Sequence, residues 1–183
     1  DEPSSSGWAM SASGLAAVWA EDNTRESILA AMRRREVYAT TGPRISLQFY
    51  GGADFSELDL AAADLYQQAT AVGTPMGGEL ESLQTAPSFL AVAAKDPVGG
   101  NLDRIQIVKG WLSASGEQKE KVYNVAWSGN ESGERTLASD GSLPAVGNTV
   151  DISTATWENS IGSPQLSALW QDPDFDPAES AFY

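Results

Sequence analysis

From residue 88 onward the chain is a succession of short apolar segments separated by turn-forming residues, with no helical pattern between them. Candidate strands run over residues 89–94, 104–109, 121–127, 149–153, 156–160 and 165–170, rich in side chains that fit a pleated, half-buried surface. Their separators can reverse a chain. Residues 96–101 (DPVGGN) and 113–116 have the composition of hairpin connections, and residues 129–147 form a longer polar excursion. Parallel βαβ units would need a helix between successive strands, so this pattern predicts antiparallel pairing in a sandwich-like packing.

The first half has a different rhythm. Residues 1–13, rich in Ser and Gly with Pro3, read as a linker or frayed end. Residues 15–20 (LAAVWA) are long enough for one buried strand. Asn23 is placed to cap the helix that follows, Glu26 stands three residues on, and Ile28, Leu29 and Met32 make an apolar stripe. Arg33, Arg34 and Arg35 suit the carbonyl end of the helix dipole, so the helix is predicted over residues 24–36. A Thr-Thr-Gly-Pro turn follows, and residues 44–50 alternate Ile45, Leu47 and Phe49 on one face of a strand. Residues 56–68, with Leu58, Ala62 and Leu65, read as a short helix that Gly73, Pro75, Gly77 and Gly78 end. The predicted class is α+β, mainly β: an antiparallel β-sandwich-like domain preceded by one strand–helix unit.

Absent residues exclude much chemistry. With no His and no Cys, the chain offers no Ser-His-Asp triad, no Cys-His pair and no imidazole or thiolate metal site. It carries no Gly-x-Ser-x-Gly elbow, P-loop or dinucleotide fingerprint. A net charge of -14, from 11 Lys and Arg against 25 Asp and Glu, repels a polyanion, so nucleic acid is not an expected partner. No stretch approaches the ~20 apolar residues of a membrane-spanning helix.

Three clusters remain as candidates. Asp172, Asp174 and Asp176 alternate as the oxygens of calcium loops do, but Pro177 stands where an EF-hand needs Gly and Tyr183 where it needs Glu. A solvated acidic turn stiffened by Pro173 and Pro177 is the competing reading. Trp111, Trp127, Trp157 and Trp170 on a β scaffold could stack on sugar rings or fill the core. Arg33, Arg34, Arg35 and Arg44 could receive a phosphate or carboxylate, or serve the helix end and pair with Glu26 or Glu36.

Residues 14–28 (GLAAVWAEDNTRESI), 34–45 (RREVYATTGPRI), 101–111 (NLDRIQIVKGW) and 121–129 (KVYNVAWSG) carry a more specific signal. In this order they closely resemble the C-terminal third of a large bacterial family, domain of unknown function 3604. Its members look like distant relatives of the polymerase-and-histidinol-phosphatase (PHP) superfamily of metal-dependent phosphoesterases. That resemblance implies metals held by His-x-His and Asp-x-His clusters on an α/β barrel upstream of this chain. Residues 14–43 would then be the last strand and helix of the barrel, and residues 44–183 a β-rich appendage.

The implied division of labour makes the chain the C-terminal part of a larger bacterial protein, without a complete catalytic site. No cofactor is expected in the chain itself, and a divalent metal is implied for the intact parent. The expected partner is the upstream PHP-like domain, with homo-oligomers left open and a periplasmic or secreted location conditional on an upstream signal peptide. Functional groups of a barrel gather in the loops after its strands, which singles out Glu21, Asp22, Arg25, Thr40, Thr41 and Arg44 as the residues nearest the parent site. Glu21 and Arg25 could equally form an i, i+4 pair. A second reading is an autonomous module binding carbohydrate or an envelope protein, and a third is a purely structural cover for the barrel.

Overall fold

The computed structural model describes residues 14–81 and 83–183, so the linker expected over residues 1–13 lies outside the described residues. Strand β1 (Leu15–Val18), helix α1 (Arg25–Arg34) and strand β2 (Val37–Thr40) come first. Next are β3 (Ser46–Gly52), α2 (Leu65–Val72), the two-residue β4 (Thr74–Pro75) and β5 (Ser88–Ala94). The rest is β: β6 (Arg104–Leu112), β7 (Gln118–Trp127), β8 (Val150–Asp151), β9 (Thr156–Trp157), β10 (Gln165–Gln171) and β11 (Ala181–Phe182). The chain is mainly β with two helices among the described residues, and every strand pair is antiparallel, as the turn pattern implied.

Two sheets form the sandwich, one in the order β10–β5–β3–β4 and the other in the order β11–β6–β7. In β5, Ala91 and Ala93 face the second sheet and cluster with Ile105, Ala126 and Ala168. Its alternate residues Leu90 and Val92 face the opposite way and meet Leu65 and Ala69 of α2, together with Tyr50 and Phe55. With both faces covered, β5 reads as a continuous apolar run rather than an alternating one. Each large side chain buried here contributes ~1.5–3 kcal/mol by removal from water.

The helices differ from expectation in their boundaries. Thr24, not Asn23, caps α1: its backbone is extended and its hydroxyl accepts from the Ser27 N–H at 3.3 Å. Arg35 adopts a left-handed conformation (φ 64°), which stops the helix before residue 36. Residues 37–40 then form β2, which runs antiparallel to β1 from Leu15↔Thr40 to Val18↔Val37. Strand β1 has an exposed first half and no parallel neighbour among the described residues, so the buried strand expected over 15–20 is a half-exposed edge. Helix α2 begins only at residue 65. Ahead of it the Asp54 and Asp59 carboxylates accept from the N–H groups of Ser56 and Ala61, turns that compete with helix.

The long excursion over residues 129–147 is pinned from within. Arg135 is buried, and its guanidinium donates to the carbonyls of Pro144 and Ser128 while lying 2.7 Å from an Asp103 oxygen. That last approach is off-axis, an ionic contact rather than a hydrogen bond.

Candidate functional site

Strand β6 alternates Ile105, Ile107, Lys109 and Trp111, and its pleat turns Lys109 into the sandwich along with its apolar neighbours. A buried ammonium needs a partner. Asp172, one residue past β10 and just as buried, supplies it at 2.6 Å, and Lys109 also donates to the Asp174 carbonyl at 2.7 Å. The Asp172 carboxylate further accepts from the Tyr183 hydroxyl and the Asp174 N–H. The Asp174 carboxylate takes the Lys121 ammonium and the Tyr123 hydroxyl. These donors, Lys121 first and Tyr123 second, hold the Asp174 carboxyl below the usual carboxylate range. Burial first, then the hydrogen bonds to Asp172 and Asp174, pushes the Tyr183 and Tyr123 phenols well above theirs.

The acidic segment is a largely exposed run of turns, as the solvated reading expected, but anchored at its start by one buried carboxylate. Asp172 is buried and Asp174 is bound by this chain's own cations, while Asp176 caps the Ala178 N–H. Among the described residues no three acidic groups converge as metal ligands would, so the residues present here do not fit the divalent ion implied for the parent.

The six residues predicted to lie nearest a parent site are divided by β1 and β2. Glu21, Asp22 and Arg25 follow the end of the ribbon where Val18 pairs with Val37, whereas Thr40, Thr41 and Arg44 sit at the Leu15 end. At ~3.3 Å per residue the ribbon places the two groups on the order of 10 Å apart. All but Thr40 are exposed. The Asp22 backbone N–H donates to the Ser27 hydroxyl, and the Arg44 N–H donates to the Asp96 carboxylate at 2.6 Å. No ion pair joins Glu21 to Arg25 within the described residues; Glu21 instead acts electrostatically on Arg34, which pairs with Glu36.

The unit formed by β1, α1 and β2 meets the sandwich at a seam built on Trp19 and Tyr38, besides the exposed Arg35–Glu79 pair. Trp19 Nε1 donates to the Leu47 carbonyl at 2.8 Å, the Tyr38 hydroxyl donates to the Ile45 carbonyl at 3.1 Å, and the two rings stack with centroids 6.2 Å apart. These are the residues of the LAAVWA and VYATTGPR strings, and the family model described as "Protein of unknown function (DUF3604)" matches residues 2–183. The chain belongs to that family. No curated protein and no solved structure matches it.

In this DUF3604 chain Trp111, Trp127, Trp157 and Trp170 do not form a common platform. Trp170 joins Phe89, Tyr123 and Tyr183 in an aromatic cluster around the buried ion pair. Trp127 donates to the Arg135 carbonyl, Trp111 lies beneath the Lys109 ammonium, and Trp157 alone of the four is exposed, at 50%. Trp157 lines a recess of about 410 Å³ beside the β8–β9 hairpin. Arg35 pairs with Glu79, so the arginine cluster is spread over different partners rather than gathered on one anion site. Lys109, Lys121, Tyr123 and Tyr183 were not singled out from sequence. The signal available was Lys109 on the inward register of an otherwise apolar alternating strand.

Proposed function

We propose that this DUF3604 chain is the non-catalytic accessory region of a PHP-like metal-dependent hydrolase of bacterial origin, packing beside a metal site carried by another part of the protein. The observation that carries this reading is an apolar surface on an anchored element. Leu15, Leu29, Met32 and Val37 of the β1–α1–β2 unit are each more than two-fifths exposed, while Trp19 and Tyr38 fasten the same unit to the sandwich. A surface helix turns its apolar side chains inward unless something else covers them, so Leu29 and Met32 suit a domain interface. Residues 14–43 would then serve as the final strand and helix of that neighbouring domain.

The test compares chain and parent. Leu29→Asp with Met32→Asp should leave the isolated chain folded but lower the thermal stability and metal-dependent p-nitrophenyl phosphate turnover of the full-length protein. Turnover by the purified chain alone, with manganese added, well above background would sink the accessory reading. A second reading, an autonomous binding module, rests on Trp157 at its recess; glycan-array binding lost on Trp157→Ala would favour it.

A further inference from the structure

The sandwich is closed on one side, where β10 packs against β7 and β6, and open on the other, between β3–β4 and β11. The open side holds a recess of about 700 Å³, within the size range of ligand sites. Its floor is apolar, built from Phe49, Met76, Leu80, Phe89 and Phe175. Its charge is one-sided. Glu79, Glu81 and Glu179 line it against a single cation, Arg35, which already pairs with Glu79. Glu81 and Glu179 have no ionic partner among the described residues.

The two sheet edges flanking the recess are unequal. Strand β4 is only two residues long and contains Pro75, which cannot donate to an added strand. Strand β11 is also terminal in its sheet, yet Ala181 and Phe182 carry neither proline nor charge, and Phe182 is 71% exposed. Like β4 it is only two residues long, so the two edges share the protection of shortness and differ in the proline that β4 alone carries.

We propose that this recess binds an extended cationic peptide segment, which adds as a strand to β11, sets an apolar side chain on the Phe49–Phe89 floor and places Lys or Arg against Glu81 and Glu179. Backbone pairing with an edge strand gives affinity, and the pocket beside it gives specificity. The occupant is cationic because Glu81 and Glu179 face the recess without an ionic partner among the described residues, and the aromatic and aliphatic floor suits an apolar side chain beside the charge. The inference goes beyond the accessory reading and does not depend on it.

The probe is a fluorescein-labelled Lys-Val-Lys-Phe-Lys-Val peptide, compared with Glu-Val-Glu-Phe-Glu-Val by anisotropy. The cationic peptide is expected to bind at least about tenfold more tightly, weakening in ~0.5 M salt. Glu81→Lys with Glu179→Lys should weaken it about tenfold or more, and hydrogen exchange at residues 180–183 should slow when the peptide binds. Glu57→Lys with Glu131→Lys shifts the net charge equally but touches exposed residues outside the recess, so it should change affinity by less than about twofold. Equal loss in both double variants, no binding at millimolar peptide, or unchanged exchange at β11 would each overturn the proposal. So would sedimentation showing that the Glu81→Lys, Glu179→Lys change dissolves a dimer of this chain instead.

Discussion

The β1–α1–β2 unit and the sandwich are stabilised in opposite ways. Among the described residues Ala31 is the one apolar side chain of the unit that is fully buried, whereas the sandwich and α2 bury Tyr50, Phe55, Leu65, Phe89, Leu90, Val92, Ile105 and Ile107, among others. The sandwich is held by its own core. The unit borrows order from β3 through Trp19 and Tyr38 and leaves Leu29 and Met32 in water. An element with so little core of its own, attached by the Trp19–Tyr38 seam and an exposed Arg35–Glu79 pair, is built to finish its packing against something else. The sandwich shows a second contrast inside itself, because its apolar centre at β5 gives way at one end to the Lys109–Asp172 pair.

The largest effect should come from that pair. Lys109→Met leaves a buried Asp172 carboxylate without its cation, and urea denaturation should show a loss of ~3–5 kcal/mol. Adding Asp172→Leu should restore part of the loss, since two apolar side chains strand no charge; the Tyr183 hydroxyl and Asp174 N–H still lose their acceptor. Equal stability for Lys109→Met and the natural chain would mean that the network is ornamental. Leu90→Ala, fully buried between the sheet and α2, should cost ~2–5 kcal/mol by the same measurement. Leu29→Ala should cost under ~0.5 kcal/mol in the isolated chain, and a loss as large as that of Leu90→Ala would erase the contrast between the two regions.

Sequence reading reached the strands whose pattern is local. Strands β5, β6, β7 and β10 fall within a few residues of their expected places, because five or more alternating or continuous apolar residues declare a strand without reference to its partner. It missed β2, β4 and β11, which have four, two and two residues and exist by pairing with a neighbour already in place. Asn23 and Thr24 are both good caps, and only the backbone path decides between them. The acidic cluster was visible, but its partners were not: Lys109 and Asp172 are 63 residues apart, and no local rule joins them. Arg135 was equally silent in a stretch that reads as polar loop, although four of its contacts order that loop.

The polar end of the sandwich also sets the pH range of stability. Asp174 has a folded-state pKa below its unfolded value, so its contribution is present above pH ~4 and is lost as the pH falls through the folded value. Tyr183 and Tyr123 are shifted upward, so their contribution is complete below pH ~10 and declines as the pH rises beyond it. Melting temperature against pH should therefore show a plateau between the two limits. Tyr183→Phe should flatten the alkaline limb while leaving the acid limb in place; an unchanged alkaline limb would remove Tyr183 from the explanation.

The most local effect tests the seam. Trp19→Phe keeps the aromatic body against Tyr38 but removes the N–H that the Leu47 carbonyl accepts. The loss should be ~0.5–1.5 kcal/mol, and it should be local. Amide exchange in β1 and β2 should quicken while β5 and β6 keep their protection, because the sandwich core contains nothing from the unit. If β5 loosened in step with β1, the two regions would be one cooperative body and the unit would not be an attachment. Local loosening alone would mean that in the isolated chain β1, α1 and β2 are held chiefly by the seam, so that covering Leu29 and Met32 in the full-length protein should slow exchange in this unit more than anywhere in the sandwich.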